Sequence, residues 1–205
     1  MTIHSIFSNA FRYTPLTQHD PQCRLGLAQQ ALLAIDTCRN RRLDLITDRD
    51  VDALNYVLTQ FSGNWEPKHK CVIALHLIVE NRDDLITDQI VDAISQILMQ
   101  TYCLAIQTNC TSILKLISEK RDDLITDHVV DTLNQILTQT SELEIQINCC
   151  AALDNIAKKQ SSLITNQVVE TLNQALTEIS DPKIQERCRT TLTYIAQNGW
   201  VIIEE

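Results

Sequence analysis

Cysteine stands at Cys71, Cys110, Cys149 and Cys188, four thiols set 39 residues apart. With eight cysteines in 205 residues, disulfides, a zinc site or a nucleophilic thiol are the chemistries to weigh. Disulfides within the periodic set are disfavoured by geometry. Equivalent positions on neighbouring packed helices lie about 8–10 Å apart, beyond the roughly 7 Å Cα separation that a disulfide tolerates. No C-x-x-C pair and no Cys/His cluster supports zinc. The periodic cysteines therefore read as small buried hydrophobes, kept reduced in an intracellular compartment. The five histidines, His4, His19, His69, His76 and His128, fall in different segments. His69 and His76 share one helix face two turns apart, too far for the i, i+4 metal pair of H-E-x-x-H. Three glycines cannot furnish a P-loop or a dinucleotide fingerprint, and no G-x-S-x-G is present. No cofactor and no metal are expected.

The elements that carry the cysteines repeat with them. Residues 81–101 read NRDDLITDQIVDAISQILMQT and residues 120–140 read KRDDLITDHVVDTLNQILTQT, with weaker copies at 41–61 and 159–179. The motif leucines, Leu45, Leu85, Leu124 and Leu163, are spaced 40, 39 and 39. Self-similarity at such a period predicts supersecondary units that bury their apolar faces against one another. Few glycines and prolines and a 44% hydrophobic content favour helices over a sheet with many tight turns.

Each unit splits into two helical patterns. An outer helix follows Leu-Ile-Thr, with Thr47, Thr87, Thr126 and Thr165 as N-caps and Asp48, Asp88 and Asp127 at the positive end of the helix dipole. Its apolar face is Val91, Ile94, Ile97 and Leu98, matched by Val130, Leu133, Ile136 and Leu137. A second helix carries the cysteine on a buried face such as Ile145, Cys149, Ala152, Leu153 and Ile156. Asp181-Pro182 marks the start of its last copy, and His19-Asp20-Pro21 opens an early helix running through about Asn40. The extra residue of the first unit fits the turn-like linker Ser62-Gly63-Asn64-Trp65-Glu66-Pro67.

Helical hairpins of about 39 residues, with SDPKIQERCRTTLTYIA at 180–196 as a second helix, resemble HEAT repeats. The resemblance covers roughly 20–205. It implies an all-α fold, an α-solenoid (HEAT-like superhelix) of about four and a half hairpins with period 39. Segment 1–19 would be a short capping helix, followed by a partial repeat at 20–44 and full ones at 45–84, 85–123, 124–162 and 163–205. The tail, with Ile202-Ile203 where the next Leu-Ile would fall, would cap the array under Trp200. HEAT repeats often carry an Asp and Arg ladder; here only the fourth copy has candidates, Asp181 with Arg187 or Arg189. The third short helix of armadillo repeats and the Trp, Gly and Tyr signature of tetratricopeptide repeats are absent.

Outer-helix surface positions barely change between copies: Asp52, Asp92, Asp131, Glu170, then Gln60, Gln100, Gln139, Glu178. On the second helix, about 100° per residue from the cysteine places His69, Ile73, His76, Lys115, Ile147, Asp154 and Thr193 among the positions farthest from the core. These vary in charge and size from copy to copy. In HEAT-like solenoids the second helices line the concave side, so the resemblance makes these residues, with the aromatic Trp65, the candidate partner-binding set. Exposed Ile73, Ile147 and Leu33 would leave apolar surface to cover.

A net charge of −9 and a pI near 5.0 oppose nucleic acid and anionic membrane surfaces and suit a neutral or basic protein or peptide. No basic start followed by an apolar run and no 18-residue apolar stretch points to membrane or export, so a cytoplasmic protein is expected. HEAT-like enzymes with paired His-Glu motifs or a basic cleft find no counterpart here. A non-catalytic scaffold or adaptor is the leading expectation. The alternatives are an accessory subunit of an enzyme or lyase and a bacterial effector or its regulator. If the helical phase is right, Cys71, Cys110, Cys149 and Cys188 resist alkylation until denaturant is added; rapid labelling of all eight cysteines in the native protein would show the phase to be wrong.

Overall fold

The structure, a computed structural model, describes residues 21–60 and 65–198. Segment 1–19 with its expected capping helix, the linker residues Ser62, Gly63 and Asn64, and the tail with Trp200 lie outside the described residues. Nine α-helices and no strand occur among the residues described. They are α1 (Pro21–Arg39), α2 (Asp48–Gln60), α3 (Trp65–Asn81), α4 (Asp88–Gln100), α5 (Leu104–Lys120), α6 (Asp127–Gln139), α7 (Leu143–Lys159), α8 (Asn166–Glu178) and α9 (Pro182–Gln197). Even-numbered helices are the outer ones and odd-numbered helices the second ones.

Packing divides the chain into two compact units, Met1–Ile113 and Leu114–Glu205, and the boundary falls inside α5. Within the first unit α2 packs on α1 and α3, while α1 also meets α3 and α2 meets α4. The second unit repeats the scheme, α6 against α7, α8 against α9, α7 against α9 and α6 against α8. Within each unit, helices thus pack on sequence neighbours and on like helices one period away.

The cores follow the expected helical phases. Cys71, Cys110, Cys149 and Cys188 are all fully buried, as are Ile106, Ile113, Leu114 and Ile117 of α5 and Ile145, Ala152, Leu153 and Ile156 of α7. The outer-helix faces from Val91 to Leu98 and from Val130 to Leu137 are buried at the expected positions. In α7 burial goes further, taking in Cys150, Ala151 and Ala157 as well. A helix apolar on nearly every side is one with neighbours on nearly every side. The last second helix is looser, with Leu192 only half-buried.

Helix starts depart in detail from the threonine reading. Thr165 caps α8 through its hydroxyl, accepting from the Val168 amide at 3.4 Å. Thr87 and Thr126 hold the extended N-cap backbone and make no side-chain cap bond. Thr47 reverses the roles. Its hydroxyl and its amide both donate to Asp50 Oδ2, at 2.7 and 2.9 Å, so the carboxylate reaches back to the cap in the manner of a capping box. Asp181 caps α9 as expected, accepting from the amides of Lys183 and Ile184 with Pro182 in the first turn. Trp65, read as a linker residue, instead begins α3, because Pro67 fits within a helix's first turn, where no intrahelical donor is needed.

A single turn of 3-10 helix precedes each outer helix, at Leu43–Leu45, Asp83–Leu85, Asp122–Leu124 and Ser161–Leu163. Side chains from one period later hold two of these turns. The Arg82 Nη1 donates to the carbonyls of Leu43 (2.6 Å) and Ile46 (3.2 Å), while its Nε and Nη2 grip Asp84 at 2.9 and 2.7 Å. In the second unit, Gln160 Nε2 donates to the Asp122 carbonyl at 2.6 Å and Lys159 Nζ to that of Glu119 at 2.5 Å. The Arg82 hydrogen bond draws the Asp84 carboxyl below the usual carboxylate range. That pair is exposed, so its value is in fixing the turn and little in stability.

Two buried positions separate packing from polarity. Leu133 is fully buried among apolar neighbours, whereas the Ser95 hydroxyl is buried without a partner. Leu133→Ala is expected to cost about 2–5 kcal/mol, and Ser95→Ala to be neutral or stabilising by up to about 1 kcal/mol. Urea unfolding of both variants checks this; equal losses would contradict the assignment.

Candidate binding groove

A hollow lies in the second unit, between the second helices α7 and α9. It is a groove of about 620 Å³ lined by Ile147, Cys150, Asp154 and Lys158 from one helix and by Ile184, Arg187 and Thr190 from the other, with Pro182, Lys183 and Glu186 at the end. Like helices one period apart sit side by side, so side chains pointing away from the local core meet those of the next copy. Ile147 and Ile184 come from matched hairpins and supply apolar wall.

Asp154 holds the two sides together. It was expected on the open face, since the angle from Cys149 turns it away from the core of its own hairpin. Instead it is 5% exposed, because the next second helix covers it. Its Oδ2 receives Lys158 Nζ at 2.8 Å and Arg187 Nη1 at 3.3 Å, and its Oδ1 receives the Thr191 hydroxyl at 2.9 Å. The Tyr194 hydroxyl adds a bond to the Lys158 carbonyl at 3.2 Å. Arg187 therefore reaches back one period to Asp154 rather than to Asp181, and Arg189 pairs with Glu186 at 2.7 Å. The cationic ends are about two-fifths exposed, so charge faces the groove while the carboxylate stays beneath.

The same construction appears in the first unit. His76 on α3 lies between Asn109 Oδ1 (3.2 Å from Nδ1) and the Ser112 hydroxyl (3.1 Å from Nε2), both on α5. A smaller hollow of about 390 Å³ is lined by Trp65, Lys68, Ile97, Gln100, Tyr102 and Ile106. Trp65 is 54% exposed and packs its ring 5.7 Å from that of His69. Burial pulls the Lys68 ammonium below its usual pKa.

The candidate residues thus separate into distinct places. Trp65 and His69 come together at the small hollow, and Ile147 and Asp154 at the groove. His76 joins two helices, and Ile73 is exposed on α3. Lys115 is half-buried on α5 and lines neither hollow. Thr193 is exposed with its hydroxyl turned back to the Arg189 carbonyl at 2.8 Å. Sequence reasoning missed Lys183 and Arg187 as groove residues, although Arg187 was visible as a cation next to the cysteine position. It also missed Tyr102, which is almost wholly exposed between α4 and α5. Among the described residues no three His, Cys, Asp or Glu side chains gather as a metal site, and no helix is long and apolar enough to cross a membrane.

No family model and no curated protein matches the chain. Among solved structures it is similar to an engineered protein, a target of the Northeast Structural Genomics Consortium. The identity is 24% over 95% of this chain and 80% of that one, with a TM-score of 0.62. A second engineered protein from the same consortium aligns at 20% identity over 93% of this chain and 98% of that one, with a TM-score of 0.42. The first shares the fold, and at that identity the likeness extends no further.

The Asp154 cluster has an asymmetric energetic signature. Removing both cations, as in Lys158→Met with Arg187→Met, strands a buried carboxylate and is expected to cost about 3 kcal/mol. Asp154→Leu removes the charge itself, leaves the cations in water, and should cost less than about 1 kcal/mol. Denaturant unfolding of the two variants decides it, and the reverse order would contradict the cluster's role.

Proposed function

We propose that residues 20–205 form a HEAT-like α-solenoid of about four and a half hairpins, and that it is a non-catalytic scaffold gripping a protein or peptide along its second helices. What supports the repeat reading is the packing of like helices one period apart, α1 on α3 and α2 on α4 in the first unit, α6 on α8 and α7 on α9 in the second. The binding reading rests chiefly on one observation, the α7–α9 groove, where half-buried Ile147 offers apolar surface beside the cations of Lys158, Lys183 and Arg187.

The charges of this groove narrow the partner. Asp154 is already neutralised by Lys158 and Arg187, and Glu186 by Arg189, whereas Lys183 has no carboxylate partner among the described residues. A peptide that inserts an aliphatic side chain and places a carboxylate beside it would match. Sequence composition alone suited a neutral or basic partner, and the outer-helix acids Asp52, Asp92, Asp131 and Glu170, all exposed, would still suit a basic one. The concave site is cationic at its rim, so an acidic segment is the better fit there.

Selection of a displayed random peptide library on the native protein tests this. Peptides with an aliphatic residue next to Asp or Glu should be enriched, and Lys183→Glu with Ile147→Glu should weaken them at least tenfold. An outer-helix variant, Asp131→Lys, should leave them unchanged. Failure to enrich any peptide, or enrichment indifferent to the groove variants, would contradict the proposal.

A further inference from the structure

One pair of nucleophilic groups plays no part in the binding proposed above. Cys150 on α7 and Cys188 on α9 bring their Sγ atoms within 3.8 Å of each other, and both residues are fully buried. We propose that Cys150 and Cys188 are an oxidation site, where a hydroperoxide joins them in a disulfide that ties α7 to α9 beneath the groove.

Proximity comes first. A disulfide bond is about 2.05 Å long, so from 3.8 Å the sulfurs have roughly half their separation to close. The pairing is also particular to this place in the array. Equivalent cysteines one period apart stand too far from one another, but Cys150 follows Cys149 by one residue and turns toward α9. At the same position the other second helices carry Val72, Thr111 and Arg189. Only α7 among them sets a thiol against the periodic cysteine of the next copy.

Access and charge agree with the geometry. Cys150 lies against the groove wall with Cys188 directly behind it, so hydrogen peroxide, far smaller than an alkylating reagent, has only the depth of one side chain to penetrate to reach the buried pair. The hydrogen bond to Cys188, with burial, holds the Cys150 thiol protonated. The same hydrogen bond draws Cys188 below the usual thiol range, and the neighbouring Arg187 guanidinium favours the thiolate at both. Cys188 is then the sulfur that reacts first.

The chemistry balances with the hydroperoxide as the sole oxidant. The Cys188 thiolate attacks one peroxide oxygen, the O–O bond breaks, and the other oxygen leaves as water after taking a proton. The product is a sulfenic acid at Cys188. The Cys150 sulfur attacks it, the S–O bond breaks, and hydroxide departs as water with the Cys150 proton. Two thiols give up two electrons and the hydroperoxide accepts both.

The test treats the native full-length chain with hydrogen peroxide, blocks remaining thiols by alkylation in denaturant, and maps the products by mass spectrometry. The expected product is two hydrogens lighter, contains a Cys150–Cys188 cross-linked peptide, and reverts with dithiothreitol. Cys149→Ser should keep the cross-link. Cys150→Val, which installs the residue that α3 already carries at this position, should abolish it and leave at Cys188 a sulfenic acid that dimedone traps once denaturant is added. Its helical circular-dichroism signal should equal that of the parent. Absence of the cross-link in the folded parent, or its persistence through Cys149 in Cys150→Val, would overturn the proposal.

Discussion

The second helix α7 carries more apolar surface than any one neighbour can cover, and this need for several partners shapes the second unit. In α7, Ile145, Cys149, Cys150, Ala151, Ala152, Leu153, Ile156 and Ala157 are all buried, which no single flanking helix could achieve. The outer helices cover one side, and the like helix of the next copy covers another. Burying a Leu or Ile side chain contributes about 1.5–3 kcal/mol, so the contact between like helices is where a large part of the stability must reside. The near-identity of the copies follows naturally, since a side chain in one copy meets its own equivalent's neighbours in the next.

Polar residues in these helix–helix seams are constrained by the same packing. Asp154 lies under α9 and needs Lys158, Arg187 and Thr191; His76 lies against α5 and meets Asn109 and Ser112. Arg82 and Gln160 perform a related task at the turns, where each reaches back to carbonyls of the preceding copy. The groove runs along the seam between two like helices, from Ile147 to Lys158 on one and from Pro182 to Thr190 on the other. Its cationic rim and apolar walls are therefore by-products of a seam whose carboxylate is buried. That arrangement is one a binding site can use at little cost in stability.

Much of this was legible in the amino-acid pattern. The period, the two helices per unit, the cysteine phase and the Asp181-Pro182 start all depend on short-range geometry, which one strand of text records. Outer-helix surface positions such as Asp131 and Gln139 are exposed as read. Asp154 was misplaced because an angle measured from Cys149 reports the direction of the hairpin's own core and says nothing of the next copy's approach. The Cys150–Cys188 pair escaped for the same reason, being offset by one residue from the period. The 3-10 turns were hidden because Leu-Ile-Thr-Asp reads as a cap, while the side chains that hold the turns arrive from a copy away. Trp65 was read into a loop on the strength of Pro67, a residue that the first turn of a helix accepts.

The contact between like helices can be measured directly by a double-mutant cycle on Arg187→Ala and Asp154→Ala, side chains 33 residues apart in sequence and joined across α7 and α9. Unfolding free energies of the parent, the two single variants and the double variant give the coupling. Direct packing of these helices predicts a coupling of about 0.5–3 kcal/mol. Additive effects, within about 0.3–0.5 kcal/mol, would mean that the two helices do not meet in solution as described.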